Sequence, residues 1–219
     1  MTDKPLAGKT AFVSGSGQNI GRAAAVRLAQ LGCNVVVNGS SNADACARTA
    51  ALVQAEGAAA LVAMGDMARA EDIARIAAAA RAQFGAVDIV VNNAARRPHK
   101  PFLETTDDDW DSVVDLALTG AFRTARIFLP DMVDRKWGRI INFAGMKAMR
   151  GYFEGAPISA AKHGVWGLTK AISREFAPHG ITAIEWPERA EGILPDNTVR
   201  IALTLDEAPE SRKIHISVP

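Results

Sequence analysis

The sequence predicts an α/β protein, a parallel sheet wrapped by helices on both faces. Two patterns predict it. Short β-branched runs alternate with Ala-rich segments of helical periodicity, and a glycine-rich turn lies between the first such run and the first such helix. Strands separated by helices are joined by right-handed crossovers and so pair in parallel.

The elements follow in order. Thr10 to Val13 reads as the first strand, Ser14-Gly15-Ser16-Gly17-Gln18-Asn19-Ile20-Gly21 as the turn, and Arg22 to Leu31 as the first helix. Further strands are expected at Asn34 to Asn38, Ala59 to Met64, Asp88 to Asn92, Arg139 to Phe143 and Ile181 to Ile184. Gly32, Gly57, Gly85 and Gly180 stand where the preceding helices should stop. Thr106 offers an N-cap, followed by Asp107, Asp108 and Asp109 in the first turn, where the helix dipole favours carboxylates. That acidic run reads as a cap and not as a metal site. There is no internal repeat, low-complexity linker or second composition, so residues 1–219 are expected to form a single domain.

Composition narrows the partners. A length of 219 residues with 48% apolar content suffices for one core, and a net charge of +1 gives no electrostatic reason to expect nucleic acid or an acidic membrane surface. Small molecules are the expected partners. The two cysteines, Cys33 and Cys46, have no disulfide or metal-ligand spacing and read as a free, buried pair in a reducing cytosol. Met1 to Lys9 lacks a secretory apolar core, and no apolar run approaches the ~20 residues of a membrane span. Cytoplasmic is the expected location.

A strand, a glycine turn and a helix N-terminus together make an anion site, because backbone amides and the helix dipole face a phosphate that only glycine lets approach. Other short motifs accompany it in order. Gly8-Lys9-Thr10 enters strand one, Asp66-Met67 follows strand three, and Asn92-Asn93-Ala94-Ala95 closes strand four. Asp109-Trp110, Leu118-Thr119-Gly120-Ala121-Phe122, Gly138-Arg139-Ile140-Ile141-Asn142, Lys162-His163-Gly164, Gly167-Leu168-Thr169-Lys170 and Glu175 to Ile181 complete the set.

This ordered set resembles the short-chain dehydrogenase/reductase family, especially its 3-oxoacyl-carrier-protein reductase-like branch, over roughly residues 5 to 182. The resemblance implies a Rossmann-type domain with a seven-stranded parallel sheet, and an NAD(P) cofactor on the glycine loop. Gly15, Gly17, Asn19, Ile20 and Gly21 would form that loop, with Asn19 replacing a glycine usual there. Asp66, beside Met67, would hydrogen-bond adenine, and Asn92 with Ala94 would line the cofactor and brace the sheet. Lys162 would hold the nicotinamide ribose. After strand two, Asn38-Gly39-Ser40-Ser41 presents no carboxylate to repel a 2′-phosphate and offers hydroxyls such as that of Ser40, which favours NADP(H) over NAD(H).

At the catalytic positions the resemblance fails. Of the family's tetrad only Lys162 remains. The tyrosine position is Ile158, the serine position Gly145 and the asparagine position Ala117, none of which carries a side-chain proton or donor. Tyr152 lies ten residues before Lys162 instead of four and reads as a packing or surface residue. His163 should point to another helix face. Arg96, Arg97, His99 and Lys100 follow strand four and could attract an anionic substrate, such as a carboxylate or a phosphate-bearing thioester.

The segment after about residue 187 is shorter than the family's substrate lid, and Ile214 to Val218 resembles its final strand. Three readings follow: an oxidoreductase on a carbonyl or hydroxyl group with impaired activity, a redox-silent cofactor-binding regulator or partner subunit, and a non-redox lyase or hydrolase using Lys162 and the basic loop. Apolar positions around Ser159 to Phe176 and Ala121 to Met132 exceed what one sheet face covers, and the resemblance pairs these helices across a two-fold axis. A homodimer or homotetramer is expected.

Overall fold

In the computed structural model, residues 4–145, 151–184, 200–205 and 212–217 are described. The β-branched runs form β1 (Thr10–Val13), β2 (Asn34–Gly39), β3 (Ala60–Met64), β4 (Ile89–Asn92), β5 (Gly138–Asn142) and β6 (Ile181–Ile184). They pair in parallel in the order β3-β2-β1-β4-β5-β6. The order reverses at β1, so a crevice opens at the carboxyl ends of β1 and its neighbours.

Alternation along each strand divides the core. Phe12, Val36, Val90, Ile140 and Ile181 face one layer, made by α3 (Ala70–Phe84), α5 (Gly120–Asp134) and α6 (Ala156–Phe176), through Ile76, Phe128, Met132 and Ile172. Val13, Val35, Val37, Ile89 and Val91 face α1 (Asn19–Gln30) and α2 (Ala43–Ala55), through Leu28 and Val53. Full burial of each such side chain contributes about 1.5–3 kcal/mol. The helix ends follow the sequence signals. Gly85 and Gly180 are C-caps at φ +81° and +77°, and Thr106 caps α4 (Asp107–Val114) in a reciprocal capping box with Asp109.

A polar ladder ties the layers together. The Thr124 hydroxyl donates to Asn92 Oδ1 (2.7 Å), Asn92 Nδ2 to Asn142 Oδ1 (2.8 Å), and Asn142 Nδ2 to the Thr169 hydroxyl (2.8 Å). Asn92 and Asn142 are register partners, so α5 and α6 are both pinned to the β4–β5 pair.

The expected seventh parallel strand is corrected. Ile214 to Ser217 lies in β8 (Arg212–Ser217), which pairs antiparallel with β7 (Arg200–Leu205) in a separate two-stranded sheet. Antiparallel neighbours need only the short 206–211 connection, whereas joining β6 in parallel requires a crossover of a dozen residues or more. Val218 and the lid segment of residues 187–199 lie outside the described residues. Among the described residues no helix is long and apolar enough to cross a membrane.

Candidate functional site

The crevice at the β1 switch point is a cleft of about 560 Å³. Its wall includes Gly15, Gly17, Asn19, Ile20, Gly21, Ser40, Asp66, Met67 and Ala94, all expected cofactor contacts. The glycine loop is shaped by backbone constraints. Gly15 adopts φ +63°, and a Cβ at Gly21 would stand 2.3 Å from the Gly15 carbonyl oxygen. Asn19, where a glycine is usual, adopts φ +50°, a left-handed conformation that asparagine tolerates better than most residues. Gln18 precedes α1 without a side-chain capping bond, so its own side chain leaves the first-turn amides unoccupied.

Buried amides hold this loop from two sides. Asn38 Oδ1 accepts from the Gly15 N–H (3.2 Å), while its Nδ2 donates to the carbonyls of Ala63 and Gly65. Asn93 Nδ2 donates to the Ser14 and Gly15 carbonyls, and the Ser14 hydroxyl accepts from the Asn93 and Ala94 amides. Asn38 and Asn93 hold the glycine loop, a part that the sequence does not reveal. Their polarity at strand ends was the available signal, but their partners lie on other strands. Asn92 is absent from the cleft wall, because its side chain is used in the Thr124–Asn142 ladder. Cys46 lines the cleft, where burial pushes its thiol pKa up; burial, then the nearby Asp88, pushes Cys33 up to about 12. Both are protonated at neutral pH and poor nucleophiles.

The basic loop divides its cations. Arg96 Nη2 lies 3.5 Å from Asp66 Oδ2, and Lys100 Nζ lies 2.5 Å from Asp109 Oδ2. The Lys100 ammonium, helped by the Thr106 N–H and hydroxyl, holds the Asp109 carboxyl well below the usual carboxylate range. Arg96 and Arg97 line the cleft; His99 and Lys100 do not.

On the other side of β4 the environment turns apolar. Ile158 is 2% exposed and packs with Val113, Ala117 and Ala161, against half-buried Leu118 and Tyr152. Ala117 sits in a π-helical turn, Asp115–Thr119, between α4 and α5. Such turns occur often at functional sites. Lys162, 5% exposed, donates from Nζ to the Phe143 carbonyl and is absent from the cleft wall. Gly145 adopts φ +85°, and among the described residues nothing lies within 4 Å of a notional Cβ. His163 is exposed on the far face of α6, its Nδ1 3.0 Å from the Ser159 carbonyl oxygen.

Comparison with known proteins decides the family. The model of the short chain dehydrogenases matches residues 9–186. The chain belongs to the short chain dehydrogenase family. It is 38% identical over 179 residues to the D-beta-hydroxybutyrate dehydrogenase of Cupriavidus necator, covering 81% of this chain and 69% of that one. Against the 3-oxoacyl-[acyl-carrier-protein] reductase of a Synechocystis species it is 34% identical over 177 residues, covering 81% and 72%. A metagenomic short-chain oxidoreductase solved in complex with NADP superposes with a TM-score of 0.77 at 28% identity, covering 80% of each chain.

Proposed function

We propose that this single-domain chain, residues 1–219, binds a nicotinamide dinucleotide in the switch-point cleft and is an oxidoreductase of the 3-oxoacyl type whose standard carbonyl chemistry is impaired. One observation carries the reading: Ile158, at the tyrosine position, is packed into an apolar cluster with Ala117. The residues present fit a dinucleotide. Gly15, Gly17 and Gly21 let a diphosphate approach the backbone, Asn19 and Ile20 open α1 towards it, and Ser40, Asp66, Met67 and Ala94 flank the adenosine end. The neutral Asn38 to Ser41 stretch supports NADP(H) over NAD(H).

When bound, the nicotinamide supplies or accepts a hydride. The chain itself must then place a proton on the substrate oxygen or remove one from it. Ile158, Ala117 and Gly145 have no group for this, and Lys162 Nζ is engaged by the Phe143 carbonyl. General acid–base assistance is worth ~10² to 10⁴ in rate, so carbonyl reduction should be slower by at least that order. Asn92 supports the site indirectly, by bracing β4 against β5.

A redox-silent regulator or partner subunit is the second reading. It is favoured because two of the catalytic positions, Ile158 and Ala117, form packed core instead of an empty pocket. The lyase or hydrolase reading loses support, since Lys100 is paired with Asp109 and Lys162 is buried. The substrate would be a small molecule, with Arg97 on the cleft wall available to attract an anionic one. A cytoplasmic homodimer or homotetramer through α5 and α6 fits the exposure of Phe122 at 44%; a monomeric mass by light scattering at tens of micromolar would count against it.

Calorimetry with NADP(H) and NAD(H), followed by turnover on a panel of 3-oxoacyl thioesters, tests the proposal. Binding between micromolar and millimolar, about −8 to −4 kcal/mol, with little turnover is expected. No binding of either dinucleotide at millimolar concentration refutes it. Turnover at ordinary rates, unaffected by Lys162→Ala, would mean that the catalytic residues lie elsewhere.

A further inference from the structure

Resting on the reading of the cleft as a dinucleotide site, we infer that Arg96 is the residue that decides between NADP(H) and NAD(H). Selecting NADP(H) needs a cation that can reach the adenosine end. The strand-two segment has none, and its buried amide, Asn38, is committed to Gly15, Ala63 and Gly65. Arg22, the basic residue beside the glycine loop, donates to the Gly17 carbonyl and to the Thr49 hydroxyl.

Arg96 arrives from the loop after β4, yet its guanidinium is carried across to Asp66, beyond β3. That places it beside the end of β2. The Gly65 N–H, one residue before Asp66, donates to the Gly39 carbonyl, and Gly39 immediately precedes Ser40 and Ser41. All of these residues line the same cleft as Arg96.

The pairing with Asp66 holds Arg96 there without locking it. The two side chains are 52% and 27% exposed and 3.5 Å apart, the kind of ion pair that contributes little to stability. Asp66 is independently anchored: its Oδ1 accepts from the Ala68 N–H, and its own N–H donates to Asp72 Oδ2. Asp72 is in turn paired with Arg75. Arg96 can therefore leave without disturbing the turn. A 2′-phosphate on the ribose offers it a higher charge and a two-pronged acceptor that suits a guanidinium fork. NAD(H), with a hydroxyl there, gives Arg96 no reason to move.

The test is calorimetric titration of the full chain with NADP(H) and with NAD(H), at low and at 0.5 M salt, for the wild type, Arg96→Ala, Arg96→Lys and Arg97→Ala. Arg96→Ala should weaken NADP(H) about tenfold or more, the loss of a charge-assisted contact, while NAD(H) stays within about threefold. Unchanged NAD(H) binding also reports that the variant is folded. Arg96→Lys should fall between, keeping the charge and losing the fork. The NADP(H) advantage of the wild type should shrink at high salt. An equal change for both dinucleotides, or an NADP(H) loss carried by Arg97→Ala instead, overturns the assignment of Arg96 and leaves the cleft reading standing. Failure of the wild type to bind either one sinks the cleft reading, and this inference with it.

Discussion

At the carboxyl ends of β1, β2 and β3 the chain keeps an open polar cleft, whereas on the far side of β4 the helices α4 and α6 close on Val113, Ala117, Ile158 and Ala161. The two regions rest on the same sheet, and the same ladder from Thr124 to Thr169 braces the strand between them. In the proposed function they differ in what they ask of sequence. Holding a diphosphate depends on backbone shape, so Asn19 can stand in for glycine by adopting φ +50°. Moving a proton depends on particular side-chain atoms, and a side chain of suitable volume can preserve packing while removing them. Ile158 does so.

The widest gap between the regions should come from the glycine loop. Gly15→Asp forces a side chain into the left-handed region at φ +63°, with its Cβ 3.2 Å from Ala94 Cα, and sets a negative charge beside the diphosphate. Dinucleotide binding should fall below detection by calorimetry, a loss of at least a hundredfold. Retained affinity would mean that the ligand does not use this loop.

A smaller effect, of opposite sign, is expected from the apolar region. Ile158→Tyr puts a phenol one helical turn before Lys162 and should raise reduction of a 3-oxoacyl thioester at least tenfold above wild type, short of the ~10² to 10⁴ that a fully organised acid–base group provides. The shortfall has a structural cause. Ile158 is 2% exposed, and overpacking such a site costs about 1–3 kcal/mol, read as a lower melting temperature. Adding Gly145→Ser meets a different obstacle. Among the described residues nothing crowds the new Cβ, but φ +85° costs an L-residue about 1 kcal/mol, so the hydroxyl helps only if that backbone turns. No gain from either variant would show that the missing phenol is not what limits the reaction.

The contrast between the regions was partly legible in the sequence. β-branched runs and their glycine stops located the six strands because burial on both faces demands continuous apolar residues. The Thr106 cap was legible because its partner, Asp109, is three residues away. Absence of proton donors at Ile158, Ala117 and Gly145 needed only residue identity. What stayed hidden depends on partners distant in the chain: Asn38 and Asn93 holding the loop, Asn92 spent on the sheet, and Arg96 drawn to Asp66. The pairing of Ile214 to Ser217 is hidden for the same reason, since the segment has strand character and only its register with β7 reveals the hairpin.

The smallest predicted effect concerns the link between the two regions. Lys100 donates its backbone N–H to the Glu154 carbonyl (2.8 Å) and its ammonium to Asp109, so the loop beside the cleft is tied to α4 and to the segment before α6. The Lys100 contact, then the Thr106 contacts, depress the folded-state pKa of Asp109 below its unfolded value of about 3.9. A depressed carboxyl pKa contributes stability that is present above the unfolded value and is lost as pH falls towards the folded one. Asp109→Asn should therefore melt slightly below wild type from pH 7 down to about 4, and the difference should shrink steadily towards pH 2. The pair is half-exposed, so the gap should also narrow in high salt. A difference that persists undiminished at pH 2 would show that the variant acts by disturbing the capping geometry, and that the ionised Lys100–Asp109 tie does not join the cleft to the apolar region.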